Sequence, residues 1–291
     1  APGLKPFDTH WFTTDEERPR TGEIPARHRK VFEYTNEFSR EAQANAAAID
    51  KERYSLRTSE QAVSLPAGLW DINQAFCAAD WLAIHYQKKV VKTLQGGHVA
   101  AFLTAVGYLT YTDLLSTPLM IGGIISLMLF AVVNNALAVR GSWQRKYLDY
   151  RTLAEGMRVQ FYWAAAGVTS GSVSKYAHDN FLQMQDTELG WIRNVMRVAG
   201  MECDVAPNID PQGVQFAVQE WIGDDKSGQL GYYRKKSAQR IVEHDSTMRI
   251  GRLGIWTTII ALATLLFVGS ALSDEVRTPV VYLMGVVMLM V

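Results

Sequence analysis

The chain has 291 residues, with 29 lysines and arginines against 29 aspartates and glutamates. A formal net charge of zero excludes a nucleic-acid binder that works through a global basic field. Apolar residues at 48% and charged residues at 20% exclude a mostly disordered chain, and the mean hydropathy of -0.04 fits a mixture of soluble and membrane parts.

In chain order, residues 1–30 are rich in proline, threonine and charge and read as a linker or the tail of a further cytoplasmic domain. Ala1 opens no apolar run, so no signal peptide is expected, and the chain stops at Val291 inside an apolar run. Both ends read as cut from a longer protein. Residues 31–57 carry Val31, Phe32, Tyr34 and Phe38 before an alanine-rich stretch, which predicts a helix. Residues 66–95 predict a second helix, with Pro66 suited to its first turn. Leu69, Trp70, Ile72, Phe76, Ala79, Leu82, Ala83 and Tyr86 form one apolar stripe at helical spacing.

Four apolar runs follow. Residues 98–115 and 119–139 are 18 and 21 long, and residues 253–272 and 280–291 are 20 and 12 long. A spanning helix needs about 20 apolar residues. The second and third runs meet that alone, the first is slightly short, and the fourth requires the chain to continue. Thr117-Pro118 and Thr278-Pro279 separate the runs into two hairpins, and proline suits a first helical turn. Cations flank the hairpins at Lys88, Lys89, Lys92, Arg140, Arg145, Lys146, Lys235, Lys236, Arg240, Arg249 and Arg252. The positive-inside rule therefore places the N-terminal and middle segments in the cytoplasm.

Between the hairpins, residues 142–166 and 175–199 carry apolar positions at spacings of three and four. Residues 167–174 read as a Gly/Ser/Thr break and 200–213 as a loop. A short helix is expected at 214–222, and a last one leads from about Leu230 into the third run. Strand signals are almost lacking. The fold expected is an all-α membrane protein: a tail plus helix over 1–57, an amphipathic helix over 58–97, a transmembrane hairpin over 98–139, a cytoplasmic helical region over 140–252, and an incomplete second hairpin over 253–291.

The chemical inventory points away from an enzyme. Cys77 and Cys203 form neither a CxxC pair nor a disulfide framework. The glycines around Gly167 and Gly171 lack the lysine of a P-loop and the third glycine of a dinucleotide loop. Glu243-His244-Asp245 and His178-Asp179 read as solvated helix faces. No catalytic residue, cofactor or metal site is expected. Arg151, Glu155 and Arg158 sit three and four apart, suiting either a charge network or an anion contact. Asn134 and Asn135 lie in the second run, where they either pack helices or line a wet path. Thr257 and Thr258 give the third run modest polarity, and Gly122 and Ser126 form a small-xxx-small pair. Asp113, Asp274 and Glu275 lie near the outer tips, as loop acids or as a ring at a pore mouth.

The spacing of Trp143, Tyr147, Tyr150, Arg151, Ala154, Glu155, Met157 and Arg158, directly after a membrane hairpin, resembles bacterial SLATT-type effector regions. Ala79, Asp80, Leu82, Ala83, Tyr86 and Gln87 before the first run are similar to four-span relatives attached to SLOG-type nucleotide-sensing domains. So are Trp221, Gln229, Tyr232, Tyr233 and Lys236 before the third. The resemblance covers about residues 30–291; the simplest members have one hairpin and this chain has two. It implies a homo-oligomer in the bacterial inner membrane, with a pore-forming, abortive-infection role in nucleotide-signalled anti-phage defence. The signal would arrive through a sensor domain outside these residues, with no direct contact to nucleic acid. The rival readings are a non-conducting anchor for a cytoplasmic sensor or enzyme, and a small ion channel or transporter.

Overall fold

The computed structural model describes residues 26–57, 68–167, 187–201, 211–268 and 273–289. All regular structure among them is helical. The chain divides into two compact units, one of Ala1–Ile84 with Leu148–Ala217 and one of His85–Tyr147 with Val218–Val291. Each unit is thus built from two separate stretches of sequence rather than from consecutive segments.

The first unit holds α1 (Ala26–Ala44), α2 (Ala46–Glu52), the start of α3 (Leu69–Asp113), most of α5 (Trp143–Ala165), α6 (Gly190–Ala199) and α7 (Pro211–Phe216). Helix α1 begins at Ala26, inside the stretch expected to be a linker, and Val31 in its second turn is buried. Lys30 pairs with Glu188, which anchors that extra turn. Asn45 leaves helical geometry and divides α1 from α2.

The stripe on α3 buries Leu69, Ile72, Phe76, Ala79, Leu82 and Ala83. Facing positions on α5 bury Tyr150, Leu153, Ala154, Met157 and Phe161. Trp70 breaks the expected stripe: it is exposed, with the Arg57 guanidinium 5.5 Å from its ring. Its neighbour Leu69 takes the inward position, since adjacent helical residues point about 100° apart. Trp191 of α6 is fully buried, and its ring meets Phe38 at 5.8 Å and Tyr150 at 6.1 Å. Phe216 closes the other end against Phe161 and Tyr162. Asn73 is the polar exception on the stripe. Its side-chain oxygen accepts from the Leu56 backbone N–H at 2.9 Å and the Ser55 hydroxyl at 3.2 Å, which ties the segment after α2 to α3.

The second unit holds the rest of α3, α4 (Pro118–Arg140), α8 (Gly228–Val268) and α9 (Asp274–Leu289). Pro118 opens α4 as its first residue, after the extended Thr117. Pro279 does not do the same for α9. That helix starts at Asp274, where the Val276 and Arg277 N–H groups donate to the Ser273 carbonyl, and Pro279 lies inside it. Two acids in the first turn favour the earlier start through the helix dipole. Helix α3 meets α4 where Gly107 faces Ile124, and meets α9 where the Thr110 hydroxyl lies 3.0 Å from the Tyr282 hydroxyl. A Cβ on Gly285 would approach the Leu109 side chain to 3.0 Å, so the helices pass closely here.

Two expected boundaries shift. Residues 211–213, expected in a loop, are helical, because Pro211 opens α7; a π-turn over Ala217–Ile222 then continues it. The glycines at 223 and 228 both adopt positive φ, and the N–H groups of Lys226 and Ser227 donate to the Asp224 carboxylate at 2.8 Å each. These bonds hold that carboxyl below its ordinary range and set the start of α8. Residues 58–67, 168–186 and 202–210 lie outside the described residues, and with them Pro66, most of the Gly/Ser/Thr break, His178, Asp179 and Cys203.

Replacing Trp191 by alanine removes the ring shared by Phe38 and Tyr150. It is expected to lower stability by about 3–5 kcal/mol, read as a reduced urea midpoint of the detergent-solubilised chain.

Candidate functional site

In the first unit, Arg151, Glu155 and Arg158 lie on one face of α5 and are joined by charge. One guanidinium nitrogen of Arg151 reaches Glu155 Oε1 at 2.6 Å, and Arg158 reaches Glu155 Oε2 at 2.8 Å. The second donor of Arg151 lies 3.1 Å from Asp80 Oδ1 on α3. The Arg158 guanidinium also stands 5.3 Å from the Phe76 ring.

Asp80 is the buried member of this chain of four. Burial pushes its carboxyl above the ordinary value of 3.8, and Glu155 adds to the rise, while Arg151 and Arg158 pull it down. Asp80 falls four residues after Phe76 on the α3 stripe, so its inward position was readable from spacing alone. Arg151 and Arg158 therefore spend their donors on protein carboxylates. The geometry is that of an internal tie between α3 and α5 rather than an open anion cradle.

A second buried group sits one turn earlier. Cys77 donates from its thiol to the Tyr54 carbonyl at 3.3 Å, and burial pushes the thiol up to about 11. Gln160 on α5 donates from Nε2 to the Met196 carbonyl at 2.9 Å, and Gly200 leaves it room: a Cβ there would come within 2.2 Å of that nitrogen. Gln160 Oε1, Trp191 Nε1 and Arg193 Nε are buried without a hydrogen-bond partner. An open cleft of about 660 Å³ borders this region, lined by Phe38, Ala75 and Val195 with Asp71, Gln74 and Asn194.

In the second unit the two asparagines separate. Asn134 donates from Nδ2 to the Thr93 carbonyl on α3 at 2.9 Å, beside Gly96, while Asn135 is exposed. Thr257 donates its hydroxyl to Leu253 one turn back on its own helix, and Thr258 is half-buried. Asp113 is the last residue of α3; Asp274 and Glu275 are exposed at the first turn of α9. Nothing places the three acids in one ring. Among the described residues, no three His, Cys, Asp or Glu side chains group to hold a metal.

Helix α4 has the most distinctive surface. It runs 23 residues, about 35 Å at 1.5 Å per residue, and buries none of them. Leu119, Met128, Leu129, Val132 and Val139 are each more than half exposed. Among the described residues it is the one helix long and apolar enough to cross a membrane by length and composition. No family model matches the chain, and no curated protein or solved structure does either.

Two outcomes test this geometry. Folding binds a proton to Asp80 more tightly than the unfolded chain does, so its contribution to stability falls as pH rises above 3.8. Asp80→Asn is expected to flatten that part of the stability profile, measured by urea unfolding across about pH 4–7. Iodoacetamide at neutral pH is expected to leave Cys77 unmodified in the folded chain and to label it after denaturation, mapped by mass spectrometry.

Proposed function

We propose that the chain is a multi-span membrane protein of the bacterial inner membrane, acting as an oligomeric effector that permeabilises or depolarises that membrane in anti-phage defence. The observation that carries the membrane part is α4, 23 apolar-dominated residues with none buried. Such a surface is stable in hydrocarbon and costly in water. The other spans in this reading are residues 98–115, 253–272 and 280–291, and the cations flanking the hairpins put the first unit in the cytoplasm.

The effector part rests on the resemblance of the α5 spacing and of the segments before the first and third runs to SLATT-type and SLOG-associated regions. Such an effector needs helices that pack in two arrangements and a cytoplasmic part biased by a sensor's state. The sensor for a nucleotide-type ligand belongs, in this reading, to a part of the protein outside these residues. Four short spans of one subunit enclose little space, so the conducting form is a homo-oligomer.

A second reading, a non-conducting anchor, draws support from Asn134. Its bond to the Thr93 carbonyl is a helix-packing contact, which is what an anchor requires of it.

The test is membrane potential in cells expressing the full-length protein, with and without phage challenge. Depolarisation on challenge is the expected result, and Asn135→Leu is expected to alter it where Asn134→Leu mainly lowers stability. Cells that die or resist infection at unchanged potential would exclude conduction and leave the anchor.

A further inference from the structure

Helix α8 changes character along its length. Its apolar part starts at Leu253, and the stretch ahead of that is polar and charged. Every residue over 232–250 is exposed, about 28 Å of continuous helix. The stretch nonetheless carries Tyr232, Tyr233, Ile241, Val242, Met248 and Ile250, each about half exposed or more. A helix of this length is marginal in water without packing. Apolar side chains repeated along such a helix mark an interaction surface.

The spacing says which side of the helix that surface occupies. Ile241, Met248 and Ile255 recur every seven residues, and Ser237, His244 and Gly251 fall four residues before each of them. That is the alternation of three and four that keeps one seam on one side of a supercoiled helix. No Lys, Arg, Asp or Glu enters the seam, although Lys236, Arg240, Glu243, Asp245, Arg249 and Arg252 stand on the other sides. Arg234, one heptad before Ile241, is engaged by Asp225 at 2.6 Å, so the seam begins at Ser237. Gly251 adds a separate signal. A Cβ there would meet nothing within 4 Å, so the chain's own packing leaves room for a side chain. Glycine inside a helix costs about 1 kcal/mol relative to alanine, and close approach of another helix gives such a position its use.

We propose that residues 237–255 of α8 form a self-association seam that docks in parallel against the same stretch of a second copy of this chain. This rests on the membrane and oligomer reading above and adds to it the surface through which the copies meet. Helix α8 runs unbroken from Gly228 to Val268, into the third apolar run. Copies inserted in one membrane therefore share its direction and its level, which sets Ile241 on Ile241 and Met248 on Met248. Arg240 and Asp245 flank the seam on opposite sides, five residues apart. In a parallel pair that separation brings Arg240 of one copy beside Asp245 of the other, twice per pair by symmetry. Both halves of the charge match lie on this one helix, which favours a second copy over an unrelated partner. Lys236, Glu243 and Arg249 face away from the seam. Ser237 and His244 are its polar members, and polar side chains at such positions fix register at a cost in stability.

The experiment is disulfide cross-linking of the full chain in cell membranes, oxidised with copper phenanthroline and read on non-reducing gels. The background is Cys203→Ser, with the buried Cys77 left in place. Ile241→Cys and Met248→Cys are expected to give a linked dimer, and Gln239→Cys and Ser246→Cys, on the far side of the helix, at least about fivefold less. These positions are exposed in the single chain, so the substitutions leave its own packing intact. Arg240→Glu is expected to lower the Ile241→Cys yield about threefold, and Asp245→Arg added to it to restore the yield. Equal yield at all four positions would show random collision and overturn the seam. A double variant no better than Arg240→Glu alone would overturn the parallel register. No yield anywhere, with Ile241→Cys shielded from a maleimide that labels Ser246→Cys, would assign the face to another part of this chain or to a different protein and reject the second copy. No yield with both positions labelled would show a bare helix and reject it equally. Two readouts separate this proposal from the reading it rests on. An oligomer trapped by a lysine-directed cross-linker without the cysteine pattern loses the seam alone, whereas a chain released from membranes by carbonate loses the membrane reading.

Discussion

The first unit depends on one stripe of side chains, the buried face of α3 from Leu69 to Ala83. Everything else in the unit is arranged around it. Helix α5 presents Tyr150, Leu153, Met157 and Phe161 at matching spacings, α1 contributes Val31 and Phe38, and α6 inserts Trp191. Trp191 Nε1 is buried here without a partner, but three other polar groups are bonded: Asn73 holds the chain after α2, Asp80 holds Arg151, and Gln160 holds the end of α6 through one of its two polar atoms. A buried amide or carboxylate without such a bond costs on the order of 1–3 kcal/mol, so each fixes geometry as well as filling space.

The second unit obeys a different constraint. Its long helices satisfy their backbone groups internally, so side chains are free to be apolar on every side. Contacts between its helices are made by small residues and isolated polar ones: Gly107 against Ile124, Gly285 against Leu109, Asn134 on the Thr93 carbonyl, and Thr110 beside Tyr282. In the proposed membrane reading, that is the packing expected where the surroundings are as apolar as the helices and burial alone gives no gain. Charge in this unit falls at helix ends, at Lys88, Lys89 and Lys92 within α3, and in the stretch of α8 before its apolar part.

These two regimes explain why the candidate residues have such different fates. Arg151, Glu155 and Arg158 are absorbed into an ion-pair chain because a carboxylate from the neighbouring helix, Asp80, meets them. Lys89 and Lys146 both stand over the Tyr86 ring, at 4.9 and 5.2 Å from its centre. Asn134 and Asn135 are neighbours in sequence with opposite surroundings, since about 100° of helical rotation separates them.

The all-α class, the apolar runs, the α3 and α5 stripes and the opening of α4 at Pro118 were determined by sequence alone. Each depends on periodicity or on a residue's local backbone preference, and both act over one or two turns. The exposure of Trp70, the start of α9 before Pro279, the extra turns at Ala26 and Pro211, and the division of the chain into two interleaved units were not. Nor were the convergence of Asp80 on Arg151 and of two lysines on Tyr86. Those were decided by residues about 60–70 positions apart in the chain, such as Asp80 and Arg151, and spacing within one helix carries no information about which helix faces it.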